Sequence, residues 1–295
     1  MSRWEYDPRE SERGRDGREY ERYPKVPIRD HQVREVPREG RELRQVYREH
    51  DKEYRLNSAE IAVIRDVGSF RTISARDLAK FIYNGKQDAA DRSLRHLANE
   101  KLVRVSGLPG RARTKYVTLT KTGKELVNRQ FNPNRKQQIH SGLKKPRELK
   151  HDAALYRMYK QEAERMGEHG CRPKRVVLDY ELKRDVQRDL ARARKEYGGS
   201  LVSVREEVAR KHNLPIVDNQ IRFPDVRIEY EGPDHGLSIG GDSGSVDLEY
   251  VSDHYKPGQV AAKARAGFSL YIAGSGGGRS GRSPYGPDLI MSVLR

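Results

Sequence analysis

Apolar residues recur at helical spacing through much of the middle of the chain. The segment SAEIAVIRDVG, residues 58–68, sets Ile61 and Ile64 on one face, with Ser58 placed to cap the start and Gly68 to end it. In SARDLAKFIY the residues Leu78, Phe81 and Ile82 form an apolar stripe, and Ser74 and Asp77 have the spacing of a capping box. The run KQDAADRSLRHLANEKLVRV predicts a third helix with Ala90, Leu94 and Leu97 turned inward, passing into a strand over Leu102 to Val105. A basic tip rich in Gly and Pro, SGLPGRART, leads to a return strand, KYVTLT, and a further helix from Lys121. Three helices, a two-stranded hairpin and a closing helix are the element order of a winged helix, expected over residues 56–130.

Flanking segments have other patterns. Residues 1–55 mix both charges densely and are broken by Pro24, Pro27 and Pro37, so a disordered charged tail is expected, with a helix near Leu43 to Tyr54. Residues 131–150 are polar, basic and interrupted by Pro133, Gly142 and Pro146, and read as a linker. From His151 the pattern is mixed. HDAALYRMYKQEAERMG is an amphipathic helix; a strand in KRVVLDY, two charged helices, the strands RFPDVRIEY and SVDLEYVS, a helix in GQVAAKARAG and a last strand, FSLYIA, follow. This order predicts a mixed α/β domain over 151–273 and a Gly-rich tail over 274–295.

Charge sharpens the first half of this picture. The chain of 295 residues carries a net +16, and the excess is uneven. Residues 56–130 hold 15 Lys and Arg against 7 Asp and Glu, and residues 131–150 hold 6 against 1, whereas residues 214–295 hold 8 against 10. A basic segment followed by a mildly acidic one points to double-stranded DNA as the partner of the winged helix. The third helix of such a fold lies in the major groove, which nominates Gln87, Arg92, Arg95 and His96 for groove contact. The hairpin tip offers Arg111, Arg113 and Lys115 to phosphates or the minor groove. The alternative is that these charges form a solvated face, and some winged helices bind protein, but the basic excess centred here favours DNA.

Strand alternation places the acids of the second half. Asp225 shares a face with Arg227 and Glu229, while Asp247 and Glu249 lie together opposite the apolar Val246, Leu248 and Tyr250. If the two strands pair, Asp225 and Glu249 converge. Lys256, Gln259 and Lys263 then share one face of the next helix. Carboxylates that hold Mg²⁺ beside a lysine that stabilises phosphoryl charge are what metal-assisted phosphodiester hydrolysis requires. Asp225, Glu249 and Lys263 are therefore the candidate catalytic set, and Asp225, Glu249 and Asp247 the candidate metal ligands.

With these pieces in hand, the chain resembles the replication-relaxation proteins of plasmids and other mobile elements, whose C-terminal half is similar to the PD-(D/E)xK, or restriction-endonuclease-like, fold. The resemblance covers roughly residues 56–273 and rests on His151 opening its helix, Phe223-Pro224-Asp225, Leu248-Glu249 and Lys263, in that order after a winged helix. It implies a DNA-binding protein acting in replication initiation, DNA relaxation or processing, with Mg²⁺ as cofactor and replication or mobilisation proteins or a second copy of the chain as further partners. One departure matters. An active nuclease of this kind carries Glu-x-Lys, and this chain reads Glu249-Tyr250-Val251, so the amine must come from Lys263, or less directly from Lys256, or the domain has kept the shape and lost the chemistry. The other class of function is a transcriptional regulator whose C-terminal domain is a non-catalytic dimerisation or partner-binding module.

Other signals carry less. Gly276 to Ser283 mimics a phosphate-binding loop, but Pro284 and Pro287 follow instead of a helix. His235 and His254 fit no compact metal site, and the single cysteine, Cys171, excludes an internal disulfide. No apolar run is long enough to span a bilayer and the N-terminus has no apolar core, so a cytoplasmic protein without membrane contact is expected.

Overall fold

Capping side chains open three of the four helices of the first half. In the computed structural model, which describes residues 43–49, 51–108, 111–142, 146–197, 201–232, 243–252 and 255–272, helix α1 (Ser58–Phe70) is capped by Asn57, not Ser58, in a reciprocal box with Glu60. It ends at Arg71, in a positive-φ conformation (φ 67°). Gly68 stays inside the helix, where Ile139 and Leu119 press against it. Helix α2 (Ala75–Ile82) starts at Ser74, whose hydroxyl accepts from the Asp77 amide as the spacing predicted. Helix α3 (Gln87–Asn99) buries Ala90, Leu94 and Leu97 as expected, together with Ser93. Strands β4 (Val103–Leu108) and β5 (Arg111–Leu119) form an antiparallel hairpin, and the short β3 (Ile73–Ser74) completes a three-stranded sheet in the order β3-β5-β4. Helix α4 (Lys121–Gln130) follows, capped by Thr120.

Two expectations need correction here. The segment predicted as tail and helix is a hairpin, β1 (Gln45–Glu49) with β2 (Lys52–Leu56). Only Tyr54 and Leu56 of β2 enter the core, which is enough to hold one face of a two-stranded ribbon. Tyr47 packs edge-on against Phe131, and Gln130 donates to the Arg48 carbonyl, so residues 43–55 belong to the fold; the rest of the expected tail, residues 1–42, lies outside the described residues. The linker is also structured. Ile139 is buried, and the Gln137 side-chain amide donates to the Val176 carbonyl and accepts from the Val176 amide. The next helix begins at Pro146, five residues before the predicted start.

That helix, α5 (Pro146–Glu168), lies against one face of a four-stranded sheet with the order β11-β10-β9-β6. The strands are β6 (Arg172–Leu178), β9 (Val226–Glu231), β10 (Ser243–Val251) and β11 (Ser269–Ile272), with β10 and β11 parallel and the other pairs antiparallel. Helices α6 (Asp179–Tyr197) and α7 (Leu201–Lys211) cover the other face through Leu182, Val186, Val204 and Val208, and a small ribbon, β7 (Ile216–Val217) and β8 (Gln220–Ile221), precedes β9. Helix α8 (Pro257–Arg265) joins β10 to β11, which is the crossover that a parallel pair requires. The described residues thus form a mixed α+β structure with eight helices.

The two halves share one core. Buried residues run without a break from Leu56, Val63 and Leu78 through Tyr156 and Met158 of α5 to Val226, Ile228 and Leu248. Tyr156 sits edge-on to both Phe70 and Phe81, and its hydroxyl donates to Asp66 at 2.7 Å. Among the described residues no helix is long and apolar enough to cross a membrane.

Candidate functional site

Asp225 stands at the entrance to β9, immediately before the first ladder pair, Val226 with Leu248. That register carries Asp225 opposite Glu249. The Asp225 amide donates to Glu249 Oε2 at 3.2 Å, and Asp225 Oδ2 accepts from the Tyr250 amide at 2.8 Å. The convergence expected from alternation is therefore present in the backbone pairing itself. From α8, Lys263 Nζ lies 2.7 Å from Glu249 Oε1 and donates to the Phe223 carbonyl at 2.6 Å. Tyr255 donates to the same Glu249 oxygen at 2.8 Å.

Burial dominates the electrostatics of this cluster. Glu249 is 0% exposed. Its proton affinity is raised, first by burial and then by the charge of Asp225, with Lys263 and Tyr255 opposing. Asp225 is raised as well, chiefly by burial, with the Tyr250 amide and Lys263 pulling the other way and Asp179 adding to the rise. Two neighbouring carboxyl groups, each disfavoured as an anion and each felt by the other, titrate together. An added cation would relieve both.

The other predicted residues are dispersed. Asp247 takes both its oxygens to Arg227, at 2.7 and 2.8 Å, and Arg227 in turn donates to the carbonyls of His212 and Asn213. It is a strut between sheet and α7 and stands apart from the acid pair. Lys256 caps α8, where its amide donates to Gln259, while Lys263 alone of the two reaches the site. Gln87, Arg92, Arg95 and Lys115 are exposed. His96, nominated for groove contact, is turned towards α1, with Nδ1 2.8 Å from Glu60 Oε1 and the Arg44 guanidinium 3.2 Å away. Arg111 and Arg113 belong to β5, but their side chains lie outside the described residues. So do Asp234, His235, Asp253, His254 and the Gly276 to Ser283 segment.

Three members of the site were not assigned from the sequence residues alone. Tyr255 sits just before α8, where neither period nor motif singles it out. Asp179 opens α6, its amide donating to the Asp225 carbonyl at 3.1 Å, and pairs with Lys183 at 2.7 Å. His151, read from its own context as a helix-start residue, places Nε2 3.6 Å from Asp225 Oδ1 and its ring edge-on to Tyr250. On the next residue of α5, Asp152 is buried beside Arg71, and burial pushes its carboxyl up to about 6.

The donor set decides which ion the site suits. Among the described residues no three His, Cys, Asp or Glu side chains converge as a metal cage. Asp225 is the partly open member of the pair, its Oδ1 3.6 Å from His151, and two carboxylates suit a hard cation that keeps most of its water, as Mg²⁺ does; a closed zinc site needs more protein ligands. No family model matches the chain, and no curated protein matches it.

Proposed function

We propose that this chain is a DNA-binding protein of a plasmid or other mobile element that processes DNA, with a winged helix over residues 56–130 that holds the duplex and a nuclease-like domain that hydrolyses a phosphodiester. The convergence of Asp225, Glu249 and Lys263 at one end of the four-stranded sheet carries this reading. The mobile-element setting comes from the resemblance in motif order. Gln87, Arg92 and Arg95 supply the exposed polar face of α3, and Lys115 an exposed cation of the hairpin. Asp225 and Glu249 would hold Mg²⁺, which when bound supplies a polarised water. Lys263 replaces the missing strand lysine from α8: it steadies Glu249 and brings positive charge to the place where phosphoryl charge develops.

Supercoiled plasmid incubated with the full chain and Mg²⁺ is expected to yield nicked circles, and Asp225→Ala and Glu249→Ala should abolish them. Equal nicking by the variants would overturn the assignment. DNA affinity should fall steeply with salt, because each phosphate contact contributes a slope of roughly −0.9 to log K against log salt. A flat response would remove DNA binding.

A specific observation favours a second reading, a regulator with a non-catalytic C-terminal domain. Glu249 is wholly enclosed and both its oxygens already take protein donors. In that case the acid pair is a structural lock, and a discrete footprint without cleavage under any divalent metal would be seen.

A further inference from the structure

The segment between α4 and α5 bridges α1 and β6, and the packing beside it leaves a cavity of about 290 Å³. Four buried apolar side chains, Phe70, Val127, Ile139 and Val176, line it together with the rings of Phe131 and Tyr159. Its walls are pinned. The Gln137 side chain bonds twice to the backbone of Val176, at 2.9 Å each, Asn132 donates to the Gln137 carbonyl at 2.6 Å, and the His140 amide donates to the Gly68 carbonyl at 2.8 Å. A cavity between fixed walls relaxes only in part, so it stays open. A void of about 150 Å³ accepts one benzene ring, which gives this one room for two fused rings.

Charge at the cavity is one-sided. Three cations, Arg65, Lys174 and Arg175, line it against a single carboxylate, Asp66. Asp66 is already committed, its Oδ2 accepting from the Tyr156 hydroxyl at 2.7 Å and lying 2.9 Å from Lys160 Nζ. Lys174 pairs with Glu231 at 2.7 Å, whereas Arg175 reaches Glu229 and Glu181 only at 3.5 and 3.6 Å, and its buried Nε has no hydrogen-bond partner. Arg65 is exposed and has no ion pair among the described residues. Burial pushes the Tyr159 hydroxyl up to about 12, with Asp66 adding and Arg65 opposing, so it stays a proton donor at neutral pH. Apolar walls with a few polar groups of one sign are the make-up of a small-molecule site. We infer that this cavity binds a two-ring aromatic anion, its rings against Phe70, Phe131 and Tyr159 and its acidic group at Arg65 and Arg175. Neither DNA binding nor hydrolysis is required for it.

Titration calorimetry of the full chain with 2-naphthoate, in the absence of DNA and metal, is expected to show one site. The neutral 2-naphthalenemethanol should bind about tenfold or more weakly, as the loss of one hydrogen bond to a charged group implies. Arg65→Gln, at an exposed position, should weaken 2-naphthoate by about tenfold and leave the alcohol unchanged. Ala62→Phe, which fills the cavity from α1, should abolish both, with circular dichroism reporting that the fold is kept. No heat with 2-naphthoate up to about 1 mM, equal affinity for acid and alcohol, or undiminished binding to folded Ala62→Phe overturns the inference. If Ala62→Phe does not fold, the Arg65→Gln comparison decides alone, and equal loss of acid and alcohol there, or loss of neither, overturns it.

Discussion

Asp225 and Glu249 are held as a pair that resists ionisation, and this has a pH signature. An acid whose folded-state proton affinity is raised above its unfolded value, about 4, is increasingly penalised as pH climbs past that value towards the raised one. Burial sets this direction for Asp225, Glu249 and Asp152 alike. Their joint contribution is thus most favourable below pH 4 to 5 and is lost as pH rises through about 6 and beyond, the range set by Asp152 and the raised pair. Asp225→Asn keeps an acceptor for the Tyr250 amide and removes the charge. It should raise the melting temperature at pH 8, by roughly 2–4 °C for each kcal/mol relieved, and leave it unchanged near pH 4, as calorimetry at the two pH values would read. A larger gain at pH 4 than at pH 8 would contradict the account. The acid pair was legible because period-two alternation is a rigid rule and both acids sit in or beside paired strands. The orientation of His96 was not legible because helical period gives only a face, and the capping carboxylate of Glu60, remote in sequence, draws the ring towards α1.

At the level of elements, close approach of backbones is what the sequence conceals. Gly123 lies in the first turn of α4, and a methyl group there would fall inside van der Waals contact of the Leu102 carbonyl oxygen and carbon. That carbonyl also accepts from the Thr120 amide, so it cannot turn away without releasing the cap. Gly123→Ala is therefore expected to destabilise by about 2 kcal/mol or more, against the stabilisation that Gly→Ala gives in an unobstructed helix. Urea unfolding would read it, and an increase in stability would show that α4 can slide. The β1–β2 ribbon was hidden for a related reason. A strand with one face in water needs only Tyr54 and Leu56 buried, and in a segment this rich in charge two apolar residues leave no visible period. Leu56→Ala should cost about 2–5 kcal/mol, as expected of a wholly buried leucine.

The described residues fall within one compact unit, and their buried side chains join both halves through α5. A chain of this kind unfolds as a whole. One thermal transition is expected by near- and far-ultraviolet circular dichroism, and Tyr156→Ala should lower it by the equivalent of about 3–5 kcal/mol in both signals. Two separable transitions would mean that the seam of Phe70, Phe81 and Tyr156 carries little energy. The division expected from charge and linker composition did not reveal this seam, because α5 has polar residues enough to pass for a surface helix while both its flanks are covered.

Helix α5 also bears on how such a protein can be rebuilt. Two folded parts joined by a flexible tether can be exchanged independently, and lineages can shuffle them. Here the helix belongs to both parts, since Leu149, Ala153 and Tyr156 complete the first half while His151 and Glu162 meet the sheet of the second through Asp225 and Tyr271. A crossover on either side of it breaks one interface: a graft made between residues 131 and 150 mismatches the helix with the first half, and one made after Glu168, where α5 ends, mismatches it with the sheet.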